Sequence, residues 1–262
     1  MPGVTVRKYG IPPYLCAVLH GGPGAPGYMA PVARELAKTI GVFEPLQTKN
    51  TLDGQIDELA EQLITHIDQP VTLVGSSWGA VLALFAAARN SLIAHKLILI
   101  GSAVFDSANS AKIESIRLER LDDQKRQRYT HIKEELRRGI SDNRDDLLEE
   151  MADILFDADV FDPSTRILET IACQCDINER VWSDYVILRD RPGYLKREFS
   201  KIDIPVTVIH GEYDPHPIEG IRPFLEKCLR DVKFHILPEC GHYPWIERRA
   251  HDRFFEILKR EI

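Results

Sequence analysis

The chain has 262 residues and an ordinary globular composition, with 44% hydrophobic and 28% charged residues. This composition excludes collagen-like, coiled-coil and disordered proteins, and a chain of this length can bury its apolar surface without disulfides or a structural metal. The formal net charge is −7, and no long basic block is present. We therefore expect binding neither to nucleic acid nor to an anionic membrane surface.

Neither a membrane span nor a signal peptide is predicted. No uninterrupted apolar segment approaches the roughly 20 residues that a membrane-spanning helix needs. The apolar run near the N-terminus, residues 14–19, is too short for a signal peptide. The five cysteines lack the spacing of a disulfide framework, so we expect reduced thiols and a cytoplasmic location.

Short apolar strands alternate with helical patterns between residues 14 and 103. Buried parallel strands are near-continuous apolar runs, and strand–helix–strand repetition implies right-handed crossovers. The sequence therefore predicts an α/β fold with a mostly parallel sheet flanked by helices. The predicted strands are 14–20, 42–46, 71–75 and 96–102, and the predicted helices are 29–40, 52–67 and 78–89.

The strand pattern stops for nearly one hundred residues and then resumes. The intervening segment has helical spacing and dense charge, which indicates a helical insertion over the sheet, placed after the sixth core strand. We predict a core domain of residues 1–104 and 202–262 and a helical cap, or lid, of residues 105–201. Within the cap the predicted helices are 111–121, 144–156, 165–172 and 181–188. After the cap we predict strands 206–210 and 232–237 and helices 218–229 and 251–260.

The segment Gly75-Ser-Ser-Trp-Gly79 lies at a predicted strand-to-helix turn. Gly75 and Gly79 flank Ser77 at two residues on either side, which is the G-x-S-x-G spacing. A sharp turn brings these two positions together, so only small side chains fit there. Ser77 would then lie at a helix N-terminus, which favours developing negative charge, and it is the predicted nucleophile. The alternative is a chance Gly-Ser-Gly at an ordinary turn.

A nucleophilic serine needs a base, usually an imidazole held by a carboxylate. Asp214 and His242 each follow a predicted strand, where parallel sheets collect functional groups. The chain order Ser77, Asp214, His242 is the one that this architecture requires. Asp106 is the alternative acid, and His216 is set aside because it lies too close in sequence to Asp214 to be oriented by it.

Two backbone N–H groups are needed to stabilise the oxyanion of a tetrahedral intermediate. We expect one from Trp78, the residue after Ser77, and the other from Gly22 in the loop after the first predicted strand. No metal site is predicted, because neither Cys173-x-Cys175 nor Cys240-x-His242 belongs to a complete ligand set. The chemistry needs no cofactor.

The same loop offers an alternative function. Gly22, Gly24 and Gly27 match the G-x-G-x-x-G pattern of dinucleotide sites, and Glu44 follows at about the right distance. This alternative predicts a nucleotide-dependent oxidoreductase. Pro23 and Pro26 weaken it, because proline has no backbone N–H for a pyrophosphate.

Taken together, these motifs resemble the α/β-hydrolase superfamily, and specifically its proline-iminopeptidase-like branch. The resemblance covers roughly residues 14–103 and 202–262. It implies that Ser77 is the nucleophile, His242 the base and Asp214 its orienter, with Gly22 and Trp78 as oxyanion donors. The motifs are HGGPG at 20–24, GSSWGA at 75–80, HGEYD at 210–214 and GHYPWIE at 241–247.

The resemblance implies a serine hydrolase that cleaves a small ester or amide, either as a carboxylesterase or as an aminopeptidase. A non-catalytic ligand-binding protein on the same fold is the remaining alternative. In an aminopeptidase, acidic lid residues would bind the amino group of the substrate. The acidic candidates are Glu149, Glu150, Glu169 and Glu179. The aromatic candidates for an apolar pocket wall, or for the lid core, are Phe156, Phe161, Trp182 and Tyr185.

Overall fold

A computed structural model describes residues 5–139, 142–166 and 168–262, and the strands of these residues form one seven-stranded sheet. Strand β1 pairs antiparallel with β3, and the remaining pairs are parallel. The order across the sheet is β1-β3-β2-β4-β5-β6-β7. The mostly parallel α/β sheet is therefore confirmed. The strands are β1 (Val6–Tyr9), β2 (Tyr14–Leu19), β3 (Gly41–Pro45), β4 (Val71–Ser76), β5 (Ala94–Ile100), β6 (Val206–Gly211) and β7 (Val232–Leu237).

Helices flank the sheet and also form a long segment between β5 and β6. We call this segment, residues 107–199, the helical insertion. None of the helices in the described residues has both the length and the apolar character that crossing a bilayer requires. The core helices are α1 (Ala30–Leu36), α2 (Leu52–His66), α3 (Trp78–Arg89), α9 (Arg222–Cys228) and α10 (His251–Glu261). The helices of the insertion are α4 (Ser107–Arg120), α5 (Asp123–Arg138), α6 (Arg144–Asp159), α7 (Cys175–Asp190) and α8 (Tyr194–Phe199).

The core consists of two apolar clusters, one on each face of the sheet. Successive strand residues point to opposite faces, so in β2 Ala17 and Leu19 join one cluster while Cys16 and Val18 join the other. Helices α2 and α3 cover the first face, and α1 and α10 cover the second. Because α3 is enclosed between the sheet and other helices, it is buried around nearly its whole circumference, which explains its run of alanine and leucine.

The prediction of a helix at 165–172 is wrong. Its described residues are irregular, and residue 167 lies outside the described part of the chain. The N–H of Thr170 donates to the carbonyl oxygen of Leu168 at 2.7 Å, which is a tight turn and not a helical bond. The N–H of Ile171 donates to the carbonyl oxygen of Pro26, in the loop after β2, at 2.9 Å. The N–H of Gln174 likewise donates to that of Gly24 at 2.8 Å. A tertiary contact has replaced the local helical hydrogen bonds that the residue spacing suggested.

Three other features differ from the prediction. The insertion follows the fifth strand rather than the sixth, because the described residues contain one strand ahead of Tyr14; residues 1–4 of the predicted core lie outside them. Helix α5 was not predicted, since its apolar stripe of Tyr129, Ile132 and Leu136 is narrow. Its Asp122 N-cap and left-handed Gly139 C-cap are the signals that could have revealed it. The short elements β1 and α8 were also not predicted.

Candidate active site

Ser77 occupies a sharp turn between β4 and α3. Its φ of 53° and ψ of −115° belong to a region that residues other than glycine rarely adopt. A Cβ atom on Gly75 would overlap the carbonyl group of Gly79, and one on Gly79 would overlap the carbonyl oxygen of Leu19. Both flanking positions therefore require glycine, which is the steric condition for a nucleophile elbow.

The carboxylate of Asp214 and the imidazole of His242 form a short hydrogen bond. The Nδ1 atom of His242 lies 2.7 Å from Oδ2 of Asp214, and both side chains are buried. Gly101, at the end of β5 with φ of 50°, lies against this bond. A Cβ atom there would come within 2.9 Å of His242 Nδ1 and 3.0 Å of Asp214 Oδ2. The sheet thus leaves just enough room for the pair.

Electrostatics keep Asp214 ionised and make His242 more basic. Burial alone would raise the pKa of Asp214, but the neighbouring imidazoles of His242, His216 and His210 outweigh burial and hold that pKa well below 3.8. Burial alone would likewise lower the pKa of His242, but the charge and hydrogen bond of Asp214 raise it above 6.5. An ionised carboxylate only accepts, so Nδ1 of His242 carries a proton and its Nε2 is left as the basic atom.

One cavity contains the predicted nucleophile and the predicted base. It has a volume of about 430 Å³, and Gly22, Ser77, Trp78 and His242 all line it. The backbone N–H of Trp78 belongs to the first turn of α3, where N–H groups lack an acceptor within the helix. Asp214 binds His242 at the Nδ1 atom, which leaves the Nε2 atom of the imidazole free of this bond. The structure therefore brings the predicted serine, imidazole and both oxyanion donors to one space.

The sequence matches the model of the Alpha/beta hydrolase family over residues 17–257. The chain belongs to this family. Among curated proteins, none matches it. Solved structures with the same fold include VinJ, with 20% identity and a TM-score of 0.67 over 98% of this chain and 95% of that one.

Two further hydrolase structures have similar folds. The proline iminopeptidase of Mycobacterium smegmatis is 19% identical, with a TM-score of 0.61 over 97% of this chain and 92% of its own. An esterase from Exiguobacterium antarcticum is 19% identical, with a TM-score of 0.62 over 97% of this chain and 93% of its own. At this level of identity, the likeness shows a common α/β-hydrolase fold.

A second imidazole binds the same carboxylate, which the sequence reasoning had excluded. The Nδ1 atom of His216 lies 2.7 Å from Oδ1 of Asp214, and the backbone N–H of His216 donates to the same oxygen at 2.9 Å. The expectation that His216 lies too close in sequence to be oriented by Asp214 is therefore wrong. The intervening Pro215 reverses the chain tightly enough for the carboxylate to accept both donors.

Asp214 and its two imidazole partners, His216 and His242, form the group of potential metal ligands found in the described residues. The ligand atoms of Asp214, His216 and His242 all lie within 4.8 Å of one another. The two imidazole–carboxylate distances, from Asp214 to His216 and to His242, are both 2.7 Å, which is the length of a direct hydrogen bond. Cys173, Cys175 and Cys240 do not belong to this group.

The helical insertion supplies most of the remaining cavity wall. Leu148, Met151 and Leu155 make it apolar. Of the four aromatic candidates, Trp182 is on the wall, whereas Phe161 is 44% exposed on the surface. The other two belong to the core: the Phe156 ring stacks on Tyr243 with centroids 5.9 Å apart, and the Tyr185 hydroxyl donates to the carbonyl oxygen of Val104 at 2.9 Å.

The charged groups on the cavity wall are not the acidic residues expected from the sequence. Glu114, Arg117 and Asp159 line it, and Arg117 binds Asp159 through two hydrogen bonds of 2.7 Å. The spacing of Glu114 and Arg117 on one face of α4 is the signal that could have revealed them. Three expected residues form ion pairs with arginines elsewhere, and Glu149 is not among the cavity residues. These pairs are Glu150–Arg128, Glu169–Arg34 and Glu179–Arg144.

Two of the alternatives weighed on the sequence, Asp106 as the acid and a dinucleotide site at the glycine loop, find little support in this geometry. Asp106 caps the N-terminus of α4 by accepting the N–H of Asn109 at 2.8 Å, so it has a structural role. A dinucleotide would need the glycine loop to be open, but a Cβ on Gly27 would lie 2.9 Å from the carbonyl oxygen of Glu169 in the insertion. Glu44 is fully buried and accepts the Tyr9 hydroxyl at 2.7 Å, so it cannot reach a ribose.

Proposed function

We propose that the protein is a serine hydrolase that cleaves a small ester or amide through an acyl-enzyme intermediate. Ser77 is the nucleophile, His242 the general base and Asp214 the carboxylate that orients it. One observation carries the proposal: the Asp214–His242 hydrogen bond of 2.7 Å ends in the cavity that Ser77 lines from its strained turn. A serine, a raised-pKa imidazole and an ionised carboxylate in this order are what acyl transfer requires.

The reaction has two halves. In acylation, Ser77 Oγ attacks the carbonyl carbon while Nε2 of His242 takes its proton, and the imidazolium then gives that proton to the leaving group. The backbone N–H groups of Gly22 and Trp78 stabilise the oxyanion of the tetrahedral intermediate. In deacylation, Nε2 of His242 takes a proton from water as the water attacks the acyl carbon, and the imidazolium returns that proton to Ser77 Oγ as the acid leaves. Asp214 stays ionised and stabilises the imidazolium in both halves.

The cavity favours a small substrate with an apolar acyl group. Its volume of about 430 Å³ lies at the lower end of ligand pockets, and the leucine and methionine side chains of α6 line it. We propose that residues 105–201 act as the lid that closes over this space. The similar fold of an esterase and of a proline iminopeptidase supports carboxylic esters and aminoacyl amides as the two classes to compare. Glu114 is an acidic wall residue whose Oε1 binds Lys133 Nζ at 2.5 Å, so an amino group would bind its Oε2 or replace Lys133.

A fluorophosphonate probe, which phosphonylates an activated serine, tests the proposal directly. We expect wild-type protein to be labelled and Ser77→Ala to be unlabelled. Ser76→Ala is the matched control, because Ser76 is the adjacent hydroxyl but is buried and accepts the Tyr28 hydroxyl at 3.3 Å. Labelling of Ser77→Ala, or no labelling of folded wild type, would contradict the assignment.

Substrate class is then decided by turnover. We propose to compare p-nitrophenyl esters of increasing chain length with aminoacyl-naphthylamides on the wild type and on Glu114→Gln. Faster ester cleavage that is unchanged in Glu114→Gln indicates a carboxylesterase. Amide cleavage that is lost in this variant through a higher KM indicates an aminopeptidase, because removal of a charge partner weakens binding.

We also propose a cytoplasmic location. All five cysteines are free, which fits a reducing compartment. Thiol titration of the unfolded protein without reductant should find all five as thiols.

A further inference from the structure

Three imidazoles surround the carboxylate of Asp214, and the proposed reaction uses one of them. His242 binds Oδ2, His216 binds Oδ1, and His210 Nδ1 lies 3.8 Å from Oδ2. The Nε2 atom of His210 lies 2.9 Å from the carbonyl oxygen of His216. The segment 210–216 therefore forms a continuous hydrogen-bonded chain that ends at the proposed catalytic carboxylate.

The acceptors in this chain determine where its protons lie. The carbonyl oxygen of His216 only accepts, so Nε2 of His210 carries a proton and donates to it. The ionised Asp214 also only accepts, so Nδ1 of His216 carries a proton. Burial lowers the pKa of His216 to about 4, which keeps its ring neutral at pH 7. Its donation to Asp214 is therefore constant across the neutral range.

A carboxylate on an aspartate has little intrinsic preference for one orientation. The terminal χ2 torsion of aspartate is broad, so the plane of the carboxylate is set by its hydrogen-bond partners. Without the ring of His216, the carboxylate would have one donor on each oxygen: the backbone N–H of His216 on Oδ1 and the Nδ1–H of His242 on Oδ2. The Nδ1–H of His216 adds a second donor on Oδ1, and this third hydrogen bond restrains rotation of the plane.

We propose that His216 is a positioning residue: its Nδ1–H fixes the carboxylate plane of Asp214, so that Oδ2 stays aimed at Nδ1 of His242. The kinetic part of this inference rests on the proposed function, in which His242 is the base. His216 also stacks on His242, with ring centroids 4.6 Å apart and an interplanar angle of 26°. The two contributions, donor and stacked ring, can be separated by substitution.

Two variants separate them. His216→Asn keeps an N–H donor close to the position of Nδ1 and removes the ring, whereas His216→Phe keeps a ring and removes the donor. We expect His216→Phe to lower kcat by about 10- to 100-fold with little change in KM, because a hydrogen bond to a charged group is lost. We expect His216→Asn to keep most of the wild-type kcat. If the Phe variant does not fold, His216→Leu replaces it, because leucine is smaller and also lacks an N–H donor.

The pH profile gives a readout that packing alone would not change. The charged and titratable groups that act on His242 are Asp214, His216 and His210 from the loop after β6, and Asp159 and Arg117 from the insertion. The charge and hydrogen bond of Asp214 raise the pKa of His242, so loss of the His216 donor, which loosens that bond, should lower this pKa. The acidic limb of kcat/KM should therefore move to lower pH in His216→Phe and stay in place in His216→Asn.

Proton NMR tests the same geometry without any substrate. Wild type should show two strongly downfield resonances from imidazole N–H groups bound to a carboxylate, one each for His216 and His242. His216→Asn should lose one and leave the other at its wild-type shift, whereas His216→Phe should lose one and move the other. This result with an inactive wild type would contradict the proposed function and leave the positioning inference standing.

Other results would overturn the inference. Wild-type kcat in His216→Phe would show that the donor is not needed. Equal losses of kcat in both variants, with the acidic limb unmoved, would show that the stacked ring or the packing matters instead. A resonance of His242 that stays in place in His216→Phe would show that His216 does not control the Asp214–His242 bond.

Discussion

The α/β core and helix α4 of the helical insertion are held in place by different kinds of contact. Helix α3 of the core is apolar and buried from Trp78 to Ala87. Helix α4 of the insertion, at similar length, has no fully buried residue. Helices α7 and α8 of the insertion place Val181, Tyr185 and Phe199 in the main apolar core. The core is thus held by apolar burial and α7 and α8 share in it, whereas α4 depends more on polar contacts.

Two arginines of α4 provide part of this polar contact. Arg120 donates to the carbonyl oxygens of Ala158 and Tyr213 at 2.7 and 2.8 Å, and Tyr213 precedes Asp214, the proposed orienting carboxylate. Arg117 binds the Asp159 carboxylate, and the carbonyl oxygen of Asp159 accepts the backbone N–H of His242 at 2.7 Å. The insertion is therefore bound to the loops that carry Asp214 and His242, so its position and the site's geometry are linked.

The largest expected effect lies in the core. His242→Ala should lower kcat by about 10³-fold or more, because loss of the base leaves only binding and oxyanion stabilisation. Steady-state hydrolysis of an ester substrate measures this. His131→Ala is the control, since His131 is an exposed histidine of the insertion, and it should not change kcat. A loss of less than about tenfold in His242→Ala would point to another base.

The next effect compares a glycine from each region. Gly79→Ala should destabilise the protein by about 3 kcal/mol or more, because its Cβ would overlap the backbone of β2. At Gly139, at the end of α5, an added Cβ would have no atom of the described residues in contact within 4 Å. Gly139→Ala should therefore cost only about 1 kcal/mol, which is the penalty for a left-handed φ of 64°. Urea unfolding measures both, and equal costs would contradict the tight core elbow.

A third prediction concerns the junction of the two regions. The buried carboxylate of Glu247 accepts the backbone N–H groups of Phe161 and Asp162, each at 2.7 Å, and of Gly241 at 2.9 Å. Glu247→Gln replaces one acceptor oxygen by an NH₂ group that faces these donors. We expect a loss of about 2 kcal/mol in urea unfolding and a lower kcat, because Gly241 precedes His242, the proposed base.

Glu150→Gln is the control for this change. Glu150 pairs with Arg128 on the surface of the insertion. Surface pairs of this kind contribute little, so the urea midpoint should not move. If Glu150→Gln were as destabilising as Glu247→Gln, the insertion would depend on its surface pairs rather than on the junction.

The smallest prediction concerns acid. Burial lowers the pKa of His20, in the core, to about 4, whereas the unfolded chain binds that proton near 6.5. The unfolded state therefore takes up protons first, and stability is lost as the pH falls from about 6.5 towards 4. Between about pH 6.5 and 5.5, the free energy of unfolding of His20→Gln, measured in urea, should fall by about 1 kcal/mol less than that of wild type. Equal losses would show that His20 is not buried in its neutral form.

The core could be predicted from the sequence almost element by element. The apolar run of β4 and the run of small apolar residues in α3 are local sequence patterns. The predicted bounds of both elements therefore agree with the structure within one residue. The insertion was predicted less well. Helix α5 has a narrow apolar stripe, and its caps are the local signals that could have revealed it. The segment after Pro163 bonds to the loop after β2, and this tertiary contact cannot be seen in a local window of sequence.

The elbow around Ser77 and the presence of Asp214 and His242 after strands were determined by the sequence itself, because steric fit at a tight turn and the ends of apolar strands are local properties. The tertiary structure alone decided that His216 shares the carboxylate of Asp214 and that Glu114, Arg117 and Asp159 line the cavity. These outcomes depend on distances between residues that are remote along the chain or joined by a reversing loop. The physical reason is that side-chain hydrogen bonds and cavity walls form only where the packed fold brings separate elements together.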